Sequence, residues 1–162
     1  MLLRLIRWIS LITTAVTLGA LTAHTLELPN KFALDGGLWL LVQQQLYRGW
    51  GPFIGPFEVA AVVSAWLLLY LVHPRRPVFG MTLFAALLLS GALAIFFFLN
   101  APVNAAFAAW TPATLPADWQ AFRLRWEAGH AISFVLVLIA LVALLRALFR
   151  DALDRAVDSR TP

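Results

Sequence analysis

The 162-residue chain contains no cysteine, and only 12% of its residues are charged. The absence of cysteine excludes disulfide bonds, thiol catalysis, iron–sulfur clusters and zinc sites built from thiolates. The hydrophobic content is 62%, whereas ordinary soluble domains are about half apolar. The net charge of +4 does not indicate nucleic-acid binding, because the basic residues are scattered over the ends of the apolar segments. The composition is that of an integral membrane protein with a single domain over residues 1–162.

Four hydrophobic runs predict four transmembrane helices. The predicted spans are about residues 5–28, 55–72, 78–100 and 128–149. A span needs roughly 17–25 residues, and such a segment satisfies its backbone groups within a bilayer by forming a helix. The sequence therefore predicts an all-α fold, an integral membrane four-helix antiparallel bundle. Outer loops are expected at 29–54 and 101–127, with a cytoplasmic tail at 150–162.

The distribution of basic residues predicts the orientation of the bundle. One side carries the larger group, which is Arg4, Arg7, Arg75, Arg76, Arg146, Arg150, Arg155 and Arg160. The other side carries the smaller group, which is Lys31, Arg48, Arg123 and Arg125. Because cytoplasmic segments carry the excess of Arg and Lys, both termini are expected in the cytoplasm. The Arg, Ala and Leu content suggests a bacterial source, so the inner membrane is the expected location.

The first hydrophobic run also has to be weighed as a signal peptide, because Arg4 and Arg7 lie before and within its start. The run is longer than the apolar region of a usual signal peptide, and no clean cleavage site follows it. It is therefore expected to remain as the first helix of the bundle.

Two acid–histidine pairs occupy mirror-related positions in the apolar sequence. His24 precedes Glu27 by three residues at the end of the first run, and Glu127 precedes His130 by three residues at the start of the last. Residues three apart share one face of a helix, so each pair presents an imidazole and a carboxylate to the same neighbour. Ionisable groups at the edge of a span are costly and therefore suggest a functional site.

The helical rise places these groups in one layer. At about 1.5 Å per residue, His24 and His130 both lie about 24 Å above the inner boundary. Glu58 of the second span lies at about 21 Å, and Glu27 and Glu127 lie at about 28 Å. Three spans thus bring ionisable side chains to the same outer level. We predict that the two imidazoles face one another across the bundle.

The chemistry of this layer has three interpretations. The first is a metal site with the ligands His24, Glu27, Glu58, Glu127 and His130. Helical bundles use such Glu and His sets for metals, and imidazole with carboxylate suits iron, copper or another transition metal. The second is a haem held by the two histidines. The third is a buried polar network without any cofactor, in which Arg123 pairs with Glu127 and Lys31 pairs with Glu27.

The first outer loop is expected to contain a short amphipathic helix over residues 37–50. Its apolar side carries leucines and valine, whereas Gln43, Gln44 and Gln45 are expected on a side that faces solvent or lipid headgroups. Trp39, Tyr47 and Trp50 suit the membrane interface, where amphipathic rings settle.

Several motifs resemble the anthrone oxygenase-like family of small four-helix integral membrane proteins. The most specific is Leu99-Asn100-Ala101-Pro102-Val103-Asn104, followed by Trp119 and by Arg123-x-Arg125-Trp126-x-x-x-His130. The upstream motifs His24-x-x-Glu27-x-Pro29-x-Lys31 and Gln44-x-x-Tyr47 are similar to bacterial members. The resemblance covers residues 10–148. It implies a four-helix fold and, by analogy with fungal relatives, oxidation of anthrones to anthraquinones by molecular oxygen. Bacterial members are largely of unknown function.

We therefore expect a membrane oxidoreductase, oxygenase-like, that acts on a lipophilic phenolic or quinone-like compound in an outer-leaflet pocket. The expected partners are the lipid bilayer and this small molecule. The predicted catalytic residues are His24, His130, Glu58 and Arg123. The predicted substrate-binding residues are Tyr47, Asn100, Asn104, Trp110, Arg125 and Trp126. Arg123 and Arg125 would hold an anionic oxygen, because a guanidinium stays charged and supplies several donors. The alternative is a non-catalytic membrane protein, a small-ligand binder or accessory subunit, whose polar layer is structural.

Overall fold

The computed structural model describes residues 1–158, and every regular element in that range is helical. The helices are α1 (Leu2–Leu26), α2 (Leu28–Ala33), α3 (Gly36–Leu41), α4 (Trp50–Val72), α5 (Arg76–Ile95), α6 (Ala101–Ala108) and α7 (Trp119–Asp158). Two π-helical segments interrupt them, one at Val42–Leu46 after α3 and one at Phe96–Asn100 between α5 and α6. Most of the predicted tail continues α7, and its residues 159–162, with Arg160, lie outside the described residues.

The long helices form a four-membered bundle. The stretches long and apolar enough to cross a membrane are Leu2–Ala33, Trp50–Val72, Arg76–Ala108 and Trp119–Ala156. The main packing contacts run from α1 to α4 and α7, and from α5 to the same two helices. Neighbouring helices are antiparallel: Arg7 of α1 meets Asp151 of α7, and at the opposite end His24 meets His130. The predicted all-α fold with four candidate membrane spans is confirmed.

The helices are longer than the predicted spans. The regions predicted as outer loops, 29–54 and 101–127, contain α2, α3, α6 and the first turns of α4 and α7. Hydropathy marks only the apolar part of each helix, and the backbone hydrogen bonds continue into the polar flanking sequence. Glu58 and His130 consequently lie well inside α4 and α7.

Small side chains fill the centre of the bundle. The alanines exposed by at most 1% are Ala61, Ala65, Ala85, Ala86 and Ala140. Such residues allow close backbone approach, which drives helix association where lipid removes the hydrophobic driving force. Large apolar side chains such as Val63, Phe84 and Val142 are exposed on the outside. This arrangement, with small residues inside and large apolar residues outside, is the one expected in lipid.

An ion cluster lies at the end of the bundle opposite the acid–histidine pairs. The buried carboxylate of Asp151 is 2.5 Å from Arg7 of α1, 2.5 Å from Arg75 before α5 and 2.8 Å from Arg155 of α7. Sequence analysis assigned no role to Asp151, because its partners lie far away in the chain. The cluster ties α1, α5 and α7 together at this end.

Candidate functional site

His24 and His130 lie against one another at the centre of the candidate site. Their ring centroids are 4.3 Å apart, with an angle of 56° between the ring planes. Three further rings surround His24, with centroids at 4.6 Å (Tyr47), 5.2 Å (Trp50) and 5.1 Å (Trp126). The predicted meeting of the two imidazoles across the bundle is confirmed.

Asn100 and His130 meet at the carbonyl of Trp126. Asn100 Nδ2 donates to this carbonyl at 2.8 Å and lies 2.6 Å from His130 Nδ1. The carbonyl can only accept, so the amide nitrogen of Asn100 faces it. His130 Nδ1 lies 2.9 Å from the same carbonyl. These contacts hold the His130 ring in place beside Asn100.

The local backbone explains how Asn100 reaches His130. Asn100 is the last residue of the π-helical segment Phe96–Asn100, whose wider turn changes the register of the residues that follow. On the facing helix, Gly129 leaves the space that the carboxamide occupies, because a Cβ atom there would collide with Asn100. The contact therefore depends on both local features.

A cavity of about 190 Å³ opens beside the histidine pair. The polar side chains in its wall are His24, Gln43, Tyr47, Glu58, Asn104 and His130. The aromatic side chains in its wall are Trp50, Phe96, Phe107 and Trp126. An apolar wall with a few polar groups is typical of small-molecule sites. Both π-helical segments contribute to this wall, and such segments are frequent at functional sites.

Glu58 faces the cavity without a partner from the protein. Within residues 1–158 its carboxylate makes no hydrogen bond and no ion pair. It also lines a smaller cavity of about 20 Å³ closer to the bundle centre, together with Thr17, His130 and Ser133. An unpaired carboxylate inside a membrane span is costly, and Glu58 is therefore a candidate functional residue.

Lys31, the only lysine of the chain, is buried next to the cavity. Its Nζ atom lies 2.8 Å from Glu127, which is 1% exposed, and 3.9 Å from Glu27. The ammonium also faces the rings of Trp126 and Tyr47, at 4.9 Å and 5.5 Å from their centroids. A side-chain cation thus occupies the place between two carboxylates that a metal ion would take.

Tyr47 connects this charge cluster to the cavity. Its hydroxyl donates a hydrogen bond to Glu27 while its ring forms part of the cavity wall. Burial raises the pKa of the Tyr47 hydroxyl, and the hydrogen bond to the Glu27 carboxylate raises that pKa further. Tyr47 consequently remains protonated, as a donor, at neutral pH.

The five predicted metal ligands do not assemble into a ligand set. In the described part of the chain, no three side chains among His, Asp and Glu are close enough to hold one ion. Glu27 and Glu127 pair with Lys31 instead. A haem between the imidazoles does not fit either. Each ligating nitrogen would lie about 2 Å from the iron on opposite faces of a porphyrin, and a centroid distance of 4.3 Å leaves no room for the ring.

Arg123 lies outside the cavity wall. Its Nη1 atom donates to the carbonyls of Lys31 at 3.2 Å and Leu34 at 3.0 Å, which satisfies the end of α2. Its guanidinium lies 4.6 Å from the centroid of the Trp119 ring. The predicted pairing of Arg123 with Glu127 is wrong, because Lys31 lies closer to that carboxylate. Arg123 holds α2 against α7, and this places Lys31.

Arg125 and Trp110 also lie away from the cavity wall. Arg125 Nη2 donates to the Phe98 carbonyl at 2.5 Å, which lacks its usual helical partner because Pro102 has no N–H group. Trp110 packs against Phe122, at 5.0 Å between ring centroids. Of the predicted substrate-binding residues, Tyr47, Asn104 and Trp126 line the cavity, and Asn100 acts on it through His130.

Gln43 is a site residue that sequence analysis missed. The prediction of a solvated glutamine side is wrong for Gln43, which is 3% exposed, and for Gln44, which donates to the carbonyls of Phe107 and Trp110. Gln45 alone of the three is exposed. Helical periodicity could not show this, because the π-helical segment Val42–Leu46 changes the register after α3.

Comparison with protein-family models, with curated proteins and with solved structures gives no match to this chain. The site is therefore interpreted from its own geometry.

Proposed function

We propose that the protein is a membrane oxidoreductase, oxygenase-like, that acts on a lipophilic phenolic or quinone-like compound. The observation that supports this most is the contact between His24 and His130 at the wall of a cavity that also holds the unpaired carboxylate of Glu58. Imidazole is the commonest general base in enzymes. A partly apolar cavity lined by two imidazoles suits a ligand whose ring hydroxyl must lose its proton.

In the proposed reaction, the protein residues move protons. The imidazole pair takes the proton of a ring hydroxyl or of an acidic ring carbon, and Glu58 accepts it in turn. The resulting anion is electron-rich, and in this form the compound reacts with molecular oxygen. In the oxygenation implied by the resemblance, a ring CH₂ group becomes C=O, and the second oxygen atom leaves as water with both hydrogens. With a quinol, which has no such CH₂ group, molecular oxygen instead takes two electrons and two protons, and the products are the quinone and hydrogen peroxide. No metal step is needed for this balance.

Neighbouring side chains fit this function. The rings of Trp50 and Trp126 line the cavity and can pack on an aromatic ligand. Asn104 accepts a hydrogen bond from Trp126 Nε1 at 2.7 Å through its carbonyl oxygen, so its amide N–H groups remain for a ligand oxygen. The lipid bilayer would deliver the lipophilic compound.

Oxygen uptake tests this proposal. The purified protein in lipid nanodiscs is given hydroquinone or 1,4-dihydroxynaphthalene, and uptake is compared with nanodiscs that lack protein. We expect stimulation by the wild type, and a decrease of about 10²-fold or more in kcat for Glu58→Gln, because the amide that replaces the carboxylate cannot accept the proton from the imidazole pair and groups that transfer protons contribute roughly 10²–10⁴ in rate. Binding without any stimulated uptake would contradict the oxidoreductase and leave the non-catalytic binder.

The proposed orientation has both termini in the cytoplasm and the cavity in the outer half of the cell membrane, the inner membrane in a bacterium. It is supported by the excess of arginines at the end of the bundle that carries Asp151. Reporter fusions at Pro74 and at the C-terminus should report the cytoplasm, and fusions at Asp35 and Ala113 the outside. An outside report from the C-terminal fusion would reverse the orientation and move the cavity to the inner leaflet.

A further inference from the structure

The amide of Gln43 has no partner from the protein. The side chain is 3% exposed, and both Nε2 and Oε1 are buried without a hydrogen bond to any of the residues 1–158. Buried polar groups in native structures are almost always hydrogen-bonded, so an unpaired amide requires an explanation. Gln43 lines the cavity, and a ligand there could supply the missing partner.

Gln43 and Glu58 belong to different ends of the cavity. Gln43 lies in the π-helical segment Val42–Leu46, in the connection that leads into the start of α4. Glu58 lies two turns inside α4 and also lines the smaller cavity nearer the bundle centre. His130 lines both cavities and so belongs to the deep end. A ligand that fills the space can therefore meet Gln43 on this connection as well as Glu58 and His130, which also line the deeper cavity.

The volume of the cavity limits the size of the ligand. The cavity measures about 190 Å³, and an apolar cavity of about 150 Å³ holds one benzene molecule. A single ring with its substituents therefore fits, whereas three fused rings do not.

We propose that the ligand is a single ring with two oxygens in para positions, a 1,4-quinol or the corresponding 1,4-quinone. One oxygen meets the Gln43 amide, and the other meets the deep end, where His130 and Glu58 lie. This proposal rests on the proposed function, because the oxygen at the deep end is the one that loses its proton. An amide both donates and accepts, so Gln43 can pair with the hydroxyl of the quinol and with the carbonyl of the quinone. Gln43 is then a specificity-determining residue.

Binding of a series of isomers tests the proposal. Dissociation constants are measured in nanodiscs, by tryptophan fluorescence, for phenol and for 1,2-, 1,3- and 1,4-dihydroxybenzene. We expect the 1,4 isomer to bind about tenfold tighter than the other three compounds, because only it has one oxygen for the Gln43 amide while the other occupies the deep end. Gln43→Leu should reduce binding of the 1,4 isomer to the level of phenol and leave phenol unchanged. The matched control is Gln45→Leu, an exposed glutamine of the same segment, which should change neither value.

The melting temperature of the ligand-free variants provides a second measurement. Gln43→Leu should raise Tm, since it removes an unpaired buried amide, and Gln43→Met tests the same change if the leucine variant fails to fold. Equal binding of the 1,3 and 1,4 isomers, or a preference for the 1,4 isomer that survives Gln43→Leu, would overturn this inference alone. Absence of binding by all four compounds would overturn the proposed function as well.

Discussion

Replacing Lys31 with methionine is expected to lower the free energy of unfolding by about 3–5 kcal/mol, the cost of leaving one member of a buried ion pair alone. The Lys31 ammonium lies 2.8 Å from the carboxylate of Glu127, which is 1% exposed. The substitution keeps the length of the apolar stem but removes the only lysine charge from between Glu127 and Glu27. It also removes the cation that lies over the ring of Trp126, and this ring forms part of the cavity wall.

The effect of Lys31→Met is measured by unfolding in mixed detergent micelles with rising denaturing detergent. A second variant, Lys31→Met with Glu127→Leu, should recover most of the loss, because it removes the orphaned charge. Arg48→Met, which removes an exposed cation from the connection between α3 and α4, should stay within about 0.5 kcal/mol of the wild type. The prediction is contradicted if Lys31→Met has the same free energy of unfolding as the wild type. It is also contradicted if the double variant is no more stable than Lys31→Met, and in either case the ion pair does not hold α2 in place.

The bundle and the meeting of the histidines could be predicted because both follow from few physical constraints. A bilayer permits only segments that satisfy their own backbone hydrogen bonds, so long apolar runs predict helices. A constant rise of about 1.5 Å per residue then gives the height of each side chain along its helix. This calculation gives His24 and His130 equal heights, and it places Glu58 only slightly lower. These residues do line one cavity.

The rest of the site depends on features that periodicity does not contain. The two π-helical segments change the register of Gln43 and Asn100, and thereby turn one towards the cavity and the other towards His130. Lys31 reaches Glu127 because α2 follows α1 after one residue and Arg123 holds its end. Sequence analysis proposed a metal between the carboxylates, since carboxylates with imidazoles are a common ligand set. The structure places a side-chain cation there.

The absorption spectrum of bound 4-nitrophenol should show the anion in the wild-type protein, at a pH below the pKa of the free phenol. The compound has one ring, which fits a cavity of about 190 Å³, and its anion absorbs at longer wavelength than its acid. The His24–His130 pair should take the proton and stabilise the anion by a charge-assisted hydrogen bond. His24→Phe and His130→Phe keep an aromatic ring in place but remove the base, so each should decrease the anion fraction about tenfold or more.

The measurement that decides whether the imidazole pair is the base of this cavity is therefore the anion band of bound 4-nitrophenol in four proteins. These are the wild type, His24→Phe, His130→Phe and the control His73→Phe, which changes the exposed histidine after α4. We predict the anion band in the wild type and in His73→Phe, and the acid band in the other two. The acid band in the wild type, or an anion band that persists in both His24→Phe and His130→Phe, would contradict the proposed role of the pair.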